Sequence, residues 1–261
     1  MNFKQASALI GLMAGSTLAL SSAPAQAFNF TTSGGCASGG TSLTTSDGFQ
    51  LKANGGSLEC KTIVDNSVAD DGYVGPVTGI GITSTNDSVP AEIGPKPSEF
   101  MELILPGSGG VLGSLDLSFL YRPQVFSDAV FEVAAALPDT SPIEGTLKIL
   151  GPSSALWTWG SITQTLTAIS NSTDGTLGTK VGGGWYSVKN PFGDLSINSL
   201  KLRAVVQPGV EVNYKNSDFA LVGATLKPVE KVPEPTTLAG LGVIGGLIVA
   251  SRRRRKASQV S

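Results

Sequence analysis

Apolar and polar residues alternate along much of the chain, and this period-two pattern predicts half-buried β-strands. The clearest run is 114–121, which reads Ser-Leu-Asp-Leu-Ser-Phe-Leu-Tyr, and the run 197–205 alternates in the same way. Successive side chains of a strand point to opposite faces, so each run has one face for a core and one for solvent. The same criteria predict further strands at 49–53, 58–64, 77–83, 99–105, 129–133, 146–150, 164–169, 184–188 and 219–226.

Turn-forming dipeptides that contain glycine separate the predicted strands. They are Asp47-Gly48, Asn54-Gly55, Asp71-Gly72, Pro106-Gly107, Asp174-Gly175 and Pro208-Gly209. No amphipathic helix of about 12 or more residues stands out among them. About ten to twelve short strands at this spacing predict an all-β fold, a single β-sandwich or jelly-roll-like ectodomain over residues 28–228.

Residues 1–27 have the three parts of a secretory signal peptide. Lys4 provides a positive charge, residues 6–20 form an apolar stretch, and Ala25-Gln26-Ala27 has the small side chains of a cleavage site. We therefore predict an N-terminal signal helix, cleavage directly after Ala27 and export of the remaining chain.

The C-terminal residues combine a stalk, an apolar segment and a basic tail. The stalk, 229–237, contains Pro233-Glu234-Pro235, whose prolines hold the backbone extended and exclude a helix. The uncharged segment 238–251 predicts a transmembrane helix; with the preceding threonines it spans about 24 Å, short of a hydrocarbon core of about 30 Å. The alternative is a buried core helix with a solvated basic end. The tail 252–261 begins with Arg252, Arg253, Arg254, Arg255 and Lys256.

A cationic cluster after an apolar segment stays cytoplasmic, so the chain before it lies on the exported side. Pro-Glu-Pro, an apolar run rich in glycine and an arginine cluster, in this order, resemble the PEP-CTERM sorting signal of Gram-negative bacteria, which an exosortase processes. The resemblance is confined to the tail. It implies that Pro233, Glu234 and Pro235 are substrate residues of the exosortase. It also implies that the product is anchored in the inner membrane before processing and then reaches the cell surface or the extracellular matrix.

The charge of the exported part differs from that of the whole chain. Residues 28–231 contain 12 cationic and 19 acidic residues, a net charge of −7, whereas the whole chain has −2. An acidic body disfavours nucleic acid and anionic lipid surfaces as partners. We therefore predict no nucleic-acid partner and expect membrane contact only through the C-terminal segment.

Cys36 and Cys60 are the only cysteines, and both lie in the exported part. An even number of cysteines in an oxidising compartment predicts a disulfide, which would stabilise the fold by roughly 3.5 kcal/mol on the chain-entropy model. A metal-binding pair is the alternative, but the chain has no histidine to complete such a site.

The absence of histidine excludes much catalytic chemistry. It excludes Ser-His-Asp and Cys-His nucleophile systems, an imidazole general base and histidine-ligated zinc. The sequence also lacks a Gly-x-Ser-x-Gly elbow, a phosphate-binding loop and a dinucleotide fingerprint. A pair of carboxylates, as in glycosidases, is the chemistry that remains. No acidic pair stands out by its context, so we predict no catalytic residues and no cofactor.

Asp65, Asn66, Asp70 and Asp71 place several oxygen ligands close together, as a Ca²⁺ site requires. Their spacing departs from that of a calcium-binding loop, because residues 67–69 interrupt it. A turn at Asp71-Gly72 is the simpler interpretation, and we predict no particular metal.

Trp157 and Trp159 are two residues apart in a predicted strand, so both indoles point to one face, about 7 Å apart. An exposed pair of this kind would form a flat platform for two sugar rings. Filling of the core between two sheets is the alternative, and we expect burial of both indoles.

Together these features predict an exported, surface-sorted and non-catalytic protein of the cell envelope or extracellular matrix, with extracellular polysaccharide as a candidate partner. A secreted, carboxylate-dependent glycan hydrolase or lyase is the alternative prediction.

Overall fold

The computed structural model describes residues 27–29, 39–63, 77–84, 91–121, 131–151, 153–173, 181–205 and 217–228, and these residues form an all-β fold. All of the strands belong to one unit, Ala25–Lys227. The strands are β1 Ala27–Asn29, β2 Ser42–Thr44, β3 Gln50–Asn54, β4 Ser57–Ile63, β5 Val77–Thr83, β6 Phe100–Ile104, β7 Gly110–Leu120, β8 Val133–Pro138, β9 Gly145–Ile149, β10 Ser154–Trp159, β11 Ile162–Thr167, β12 Ser170–Thr173, β13 Val181–Lys189, β14 Ser196–Ile197, β15 Ser199–Ala204 and β16 Ala220–Leu226.

The strands form two antiparallel sheets. The first sheet has the order β12-β13-β7-β16-β5-β4, with β1 beside β16 and β14 beside β7. The second has the order β11-β10-β9-β8-β15-β6-β3-β2. The two sheets contribute side chains to one hydrophobic cluster, so the arrangement is sandwich-like.

The predicted alternation decides which side chains enter the core. In β15, Leu200 and Leu202 have no exposed surface, whereas Lys201 and Arg203, which alternate with them, lie on the outer face. Full burial of a leucine side chain contributes about 1.5–3 kcal/mol, so the register of each strand is strongly determined by its apolar face.

Most of the predicted strands coincide with observed ones. The predicted strand 77–83 has the bounds of β5, and 99–105 contains β6. Of the predicted strand 129–133, residues 129 and 130 lie outside the described residues, and residues 131 and 132 precede β8, which begins at Val133 and continues to Pro138.

The predicted strand 197–205 is divided at Asn198 between the two sheets. Ile197 in β14 pairs with β7, whereas β15 pairs with β6 and β8. Asp139 explains the break, because it accepts hydrogen bonds from the backbone N and the side-chain Nδ2 of Asn198 at 3.0 and 2.9 Å. These bonds take the backbone N–H that a continuous ladder would use.

Several predictions lie outside the described residues. These are the signal helix up to residue 26, Cys36, the cluster Asp65, Asn66, Asp70 and Asp71, and the segments 229–237, 238–251 and 252–261. Within the part of the chain that is described, no helix has the length and apolar character needed to cross a membrane.

Candidate functional site

Three acidic side chains meet at one end of the strands and form a buried acid cluster: Glu92, Glu132 and Asp218. Their exposed fractions are 1%, 3% and 6%. An antiparallel β-bridge between Ile93 and Phe219 brings the segments that carry Glu92 and Asp218 together. Asp218 interacts with both glutamates, so the three carboxyls form one cluster.

Backbone contacts hold Glu132 in the acid cluster. Its Oε2 accepts a hydrogen bond of 2.5 Å from the backbone N of Tyr121, and its own backbone N donates to the Tyr121 carbonyl at 3.3 Å. The next residue, Val133, donates its backbone N–H to Ser217 Oγ at 3.4 Å. The start of β8 is thereby joined to the residues before β16.

Burial governs the protonation of the acid cluster. It raises the pKa of Glu92 well above its ordinary value, and the charge of Asp218 raises it further, against the opposing effect of Lys61. Burial, followed by Asp218, likewise raises the pKa of Glu132 well above its usual range. The pKa of Asp218 is raised by burial as well. The carboxyls therefore tend to keep protons at pH values where exposed carboxyls are ionised.

Lys61 is the cation of the acid cluster. It forms an ion pair with Glu92 Oε1, and its ammonium lies 5.0 Å from the centroid of the Phe119 ring. Glu92 Oε2 is buried and has no hydrogen-bond partner among the described residues. Among the residues that the structure describes here, one cation beside three carboxyls leaves an excess of acidic groups, in line with the raised pKa values.

The acid cluster brings carboxyl groups together, as the hydrolase alternative requires, but these carboxyls are closed to solvent. A glycosidase places its two carboxyls on either side of a bound sugar. Here the carboxyls lie against one another and have almost no exposed surface. Among the residues that the structure describes, no three Cys, Asp or Glu side chains are arranged to hold a metal.

The sequence reasoning missed this cluster because its members are far apart along the chain. A local signal was nevertheless present: each acidic residue directly precedes the apolar residue that begins a strand or a β-bridge. These residues are Ile93, Val133 and Phe219.

A groove of about 470 Å³ lies on the outer face of the second sheet. One wall comes from the segment 95–100, which leads into β6, and the other from the end of β15 and Val205. The lining residues are Pro95, Lys96, Pro97, Glu99, Phe100, Lys201, Arg203, Ala204 and Val205. We call this feature the basic groove, because three of its four charged side chains are cations.

Each cation of the basic groove is held by a specific contact. The Lys201 ammonium lies 3.8 Å from the centroid of the Phe100 ring. Lys96 donates to Ser84 Oγ at 2.7 Å. Arg203 donates Nε to Glu144 Oε1 at 2.7 Å and Nη2 to Glu144 Oε2, the bidentate geometry that fixes a guanidinium most firmly.

The two tryptophans share one face of β10, as the sequence predicts, and that face is directed into the fold. Trp157 has no exposed surface and donates its indole N–H to the Pro191 carbonyl at 3.0 Å. Trp159 is half-buried and donates to the Ile143 carbonyl at 3.1 Å. Both rings pack edge-on against Phe192, with centroids 5.8 and 5.5 Å away. The pair therefore offers no flat indole platform to a sugar in this structure.

The remaining predicted residues are placed only in part. Ala27 begins β1 and lies opposite Thr225 of β16, while Ala25 is outside the described residues. Cys60 lies in β4, opposite Ile80, and no cysteine in the described part of the chain is free. Because Cys36 is not described, the bridge between the two cysteines stays a prediction.

Comparisons with protein families, with curated proteins and with solved structures find no match to this chain.

Proposed function

We propose that this chain is exported, sorted to the cell surface through its C-terminal signal, and acts there as a non-catalytic protein of the envelope or extracellular matrix. In this proposal residues 28–228 are a single β-sandwich ectodomain of jelly-roll type. The segment 238–251 spans the inner membrane until an exosortase-type enzyme acts beside Pro233-Glu234-Pro235. The basic tail holds the orientation until then.

The order of the C-terminal features carries the proposal: an extended Pro-Glu-Pro, an uncharged segment and then a cationic cluster. The position of the last strand supports it. β16 ends at Leu226, so the Pro-Glu-Pro motif follows the folded body after a short spacer, 227–232. A processing enzyme can reach an extended motif outside a fold, whereas it cannot reach one inside a hydrogen-bonded sheet.

The burial of the acid cluster supports the non-catalytic part of the proposal. A hydrolase or lyase of the alternative kind needs carboxyls that touch a bound polysaccharide. The three carboxyls that converge here are between 1% and 6% exposed. The basic groove, which is open, has a single acidic residue in its lining, Glu99.

A localisation experiment tests the proposal. The full chain and a variant with Pro233→Ala, Glu234→Ala and Pro235→Ala are expressed in a Gram-negative host that has an exosortase. We expect the parent on the cell surface with its tail removed, and the variant in the inner membrane with its tail intact. Pro228→Ala, a single proline change before the motif, is the control and should behave as the parent. Equal localisation of parent and triple variant would contradict the sorting proposal.

A further inference from the structure

The basic groove has the dimensions and the rigidity of a ligand site. Its volume of about 470 Å³ lies within the range of about 300–1,000 Å³ that ligand sites occupy. One wall belongs to β6 and the segment before it, and the other to β15, two paired strands in the interior of the second sheet. Side chains on paired central strands are held in register, so the site is preformed.

The charges of the groove contrast with those of the exported body. The body carries a net charge of −7, yet Lys96, Lys201 and Arg203 all line the groove. The single acidic residue, Glu99, accepts a hydrogen bond from the Gly94 backbone N and lies 3.8 Å from the Lys96 ammonium. Its charge is therefore largely compensated within the wall, and the groove favours an anion.

Lys201 is the cation best placed to bind that anion. Arg203 is engaged by Glu144, and Lys96 by Ser84 and Glu99. The Lys201 ammonium instead contacts the face of Phe100, and within the described residues no carboxylate forms an ion pair with it. A cation–π contact leaves the outward N–H groups of an ammonium available for a ligand.

The apolar part of the lining indicates a ring-shaped ligand and not a small inorganic ion. Pro95, Pro97 and Phe100 present ring carbons beside the cations. A pyranose has an apolar face of carbon-bound hydrogens that packs on such rings, as apolar surfaces do in general. A carboxylate on the same sugar would then reach Lys201.

The second sheet also has a row of threonine hydroxyls at some distance from the groove. Strand registers place Ala135 beside Arg203, Thr146 beside Ala135, Thr158 beside Thr146 and Thr163 beside Thr158. This row crosses four strand spacings, about 19 Å at about 4.8 Å each. Threonine hydroxyls donate and accept hydrogen bonds, as the 2.8 Å contact between the hydroxyls of Thr146 and Thr158 shows.

We propose that the basic groove binds an acidic polysaccharide, with a uronate unit packed on the ring carbons of Pro95 and Pro97 and its carboxylate on Lys201, which Phe100 holds in place. This inference deepens the proposed function, because it rests on the placement of the body outside the cell, where such polymers occur. Binding by purified protein does not depend on the sorting signal, so the two proposals fail separately.

Binding of the purified, exported protein to polygalacturonate tests the inference, with neutral dextran as the comparison polymer. Lys201→Gln removes the key charge and keeps a polar, unbranched side chain. Lys189→Gln is the matched control, since it makes the same change at an exposed lysine of the first sheet. We expect polygalacturonate binding that weakens with salt, an affinity about tenfold lower for Lys201→Gln, a change below about twofold for Lys189→Gln, and no binding to dextran.

Two further variants keep the test decisive. Lys201→Arg retains the charge and should retain binding, and Phe100→Ala removes the ring and should weaken binding. Thermal unfolding of each variant shows whether it is folded. The inference is overturned if the parent does not bind polygalacturonate, if it binds dextran equally well, or if the two glutamine variants of folded protein have the same affinity.

Discussion

Single side chains in this fold are held by contacts with residues that are distant in the sequence. Trp157 is an example, because its indole N–H binds the Pro191 carbonyl while its ring packs on Phe192. Gly145 lies directly against the indole: a Cβ at that position would be 2.3 Å from a ring carbon. A small residue in β9 is thus required by a large one in the paired strand β10.

Replacing each tryptophan in turn should show that Trp157 belongs to the core and that Trp159 lies at its edge. Trp157→Ala should lower the free energy of unfolding by about 3–5 kcal/mol, because it leaves a cavity where the indole had no exposed surface. Trp159→Ala should lower the free energy of unfolding clearly less, because Trp159 is only half-buried and the space left by its ring opens to solvent. Urea unfolding of both variants provides the comparison, and an equal or larger loss for Trp159→Ala would disprove this assignment.

The buried acid cluster makes stability depend on pH. Because the folded pKa of Glu132 is raised above that of the unfolded chain, the folded state binds more protons between these two values. The contribution to stability is complete below the ordinary pKa and is lost as the pH rises through the raised pKa. The free energy of unfolding should therefore fall as the pH increases above about 4.3.

Glu132→Gln tests this pH dependence. The amide keeps an oxygen for the Tyr121 backbone N and removes one titrating group, so stability should fall less steeply with pH than in the parent. Urea midpoints measured from about pH 4.5 to 8 give the slope. Glu102→Gln, on the outer face of β6, is the control outside the cluster. A slope for Glu132→Gln equal to that of the parent would refute the burial argument.

Among the elements, β1 is the strand that joins the beginning of the described chain to its end. Its residues pair with positions 223–225 of β16, while β5 pairs with β16 at Leu221. β1 therefore covers a part of the β16 edge that β5 does not. Phe28 anchors it, being 4% exposed and having its ring 5.9 Å from that of Phe49, the residue before β3.

Gly223→Ala should detach β1. A Cβ at Gly223 would lie 2.4 Å from the backbone oxygen of Phe28, a clash with backbone atoms that only a shift of β1 relieves. We expect a loss of about 1–3 kcal/mol and faster trimming of the N-terminus by an aminopeptidase. In Gly110→Ala, the matched control, the nearest atoms are 3.6 Å away in Leu226, which is an ordinary contact. Equal trimming of both variants would show that β1 does not depend on this close approach.

The sequence predicts those elements that depend on neighbouring residues, and it does not predict those that depend on partners far away in the chain. β5, β6 and β15 follow from alternation alone, since one apolar face specifies each register. The division at Asn198 depends on Asp139, a partner 59 residues away, and alternation cannot indicate such a partner. The acid cluster and the basic groove combine distant segments for the same reason. The two tryptophans were placed correctly on one face, but which side of the sheet that face takes is decided by packing on Phe192.

For the whole molecule, the first and the last strands of the folded body pair with each other. Ala27, after which we predict signal-peptide cleavage, lies opposite Thr225. Thr225 is two residues before Lys227, where the folded unit ends. The chain therefore enters and leaves the sandwich-like body at neighbouring points of one strand pair.

The mass of the protein extracted from the cell surface tests the central claim of surface sorting most directly. We predict a mature chain that begins at Phe28, ends beside Pro233-Glu234-Pro235 and has no free thiol at Cys36 or Cys60. A surface-extracted chain whose mass extends through Arg252 to Ser261 would contradict it.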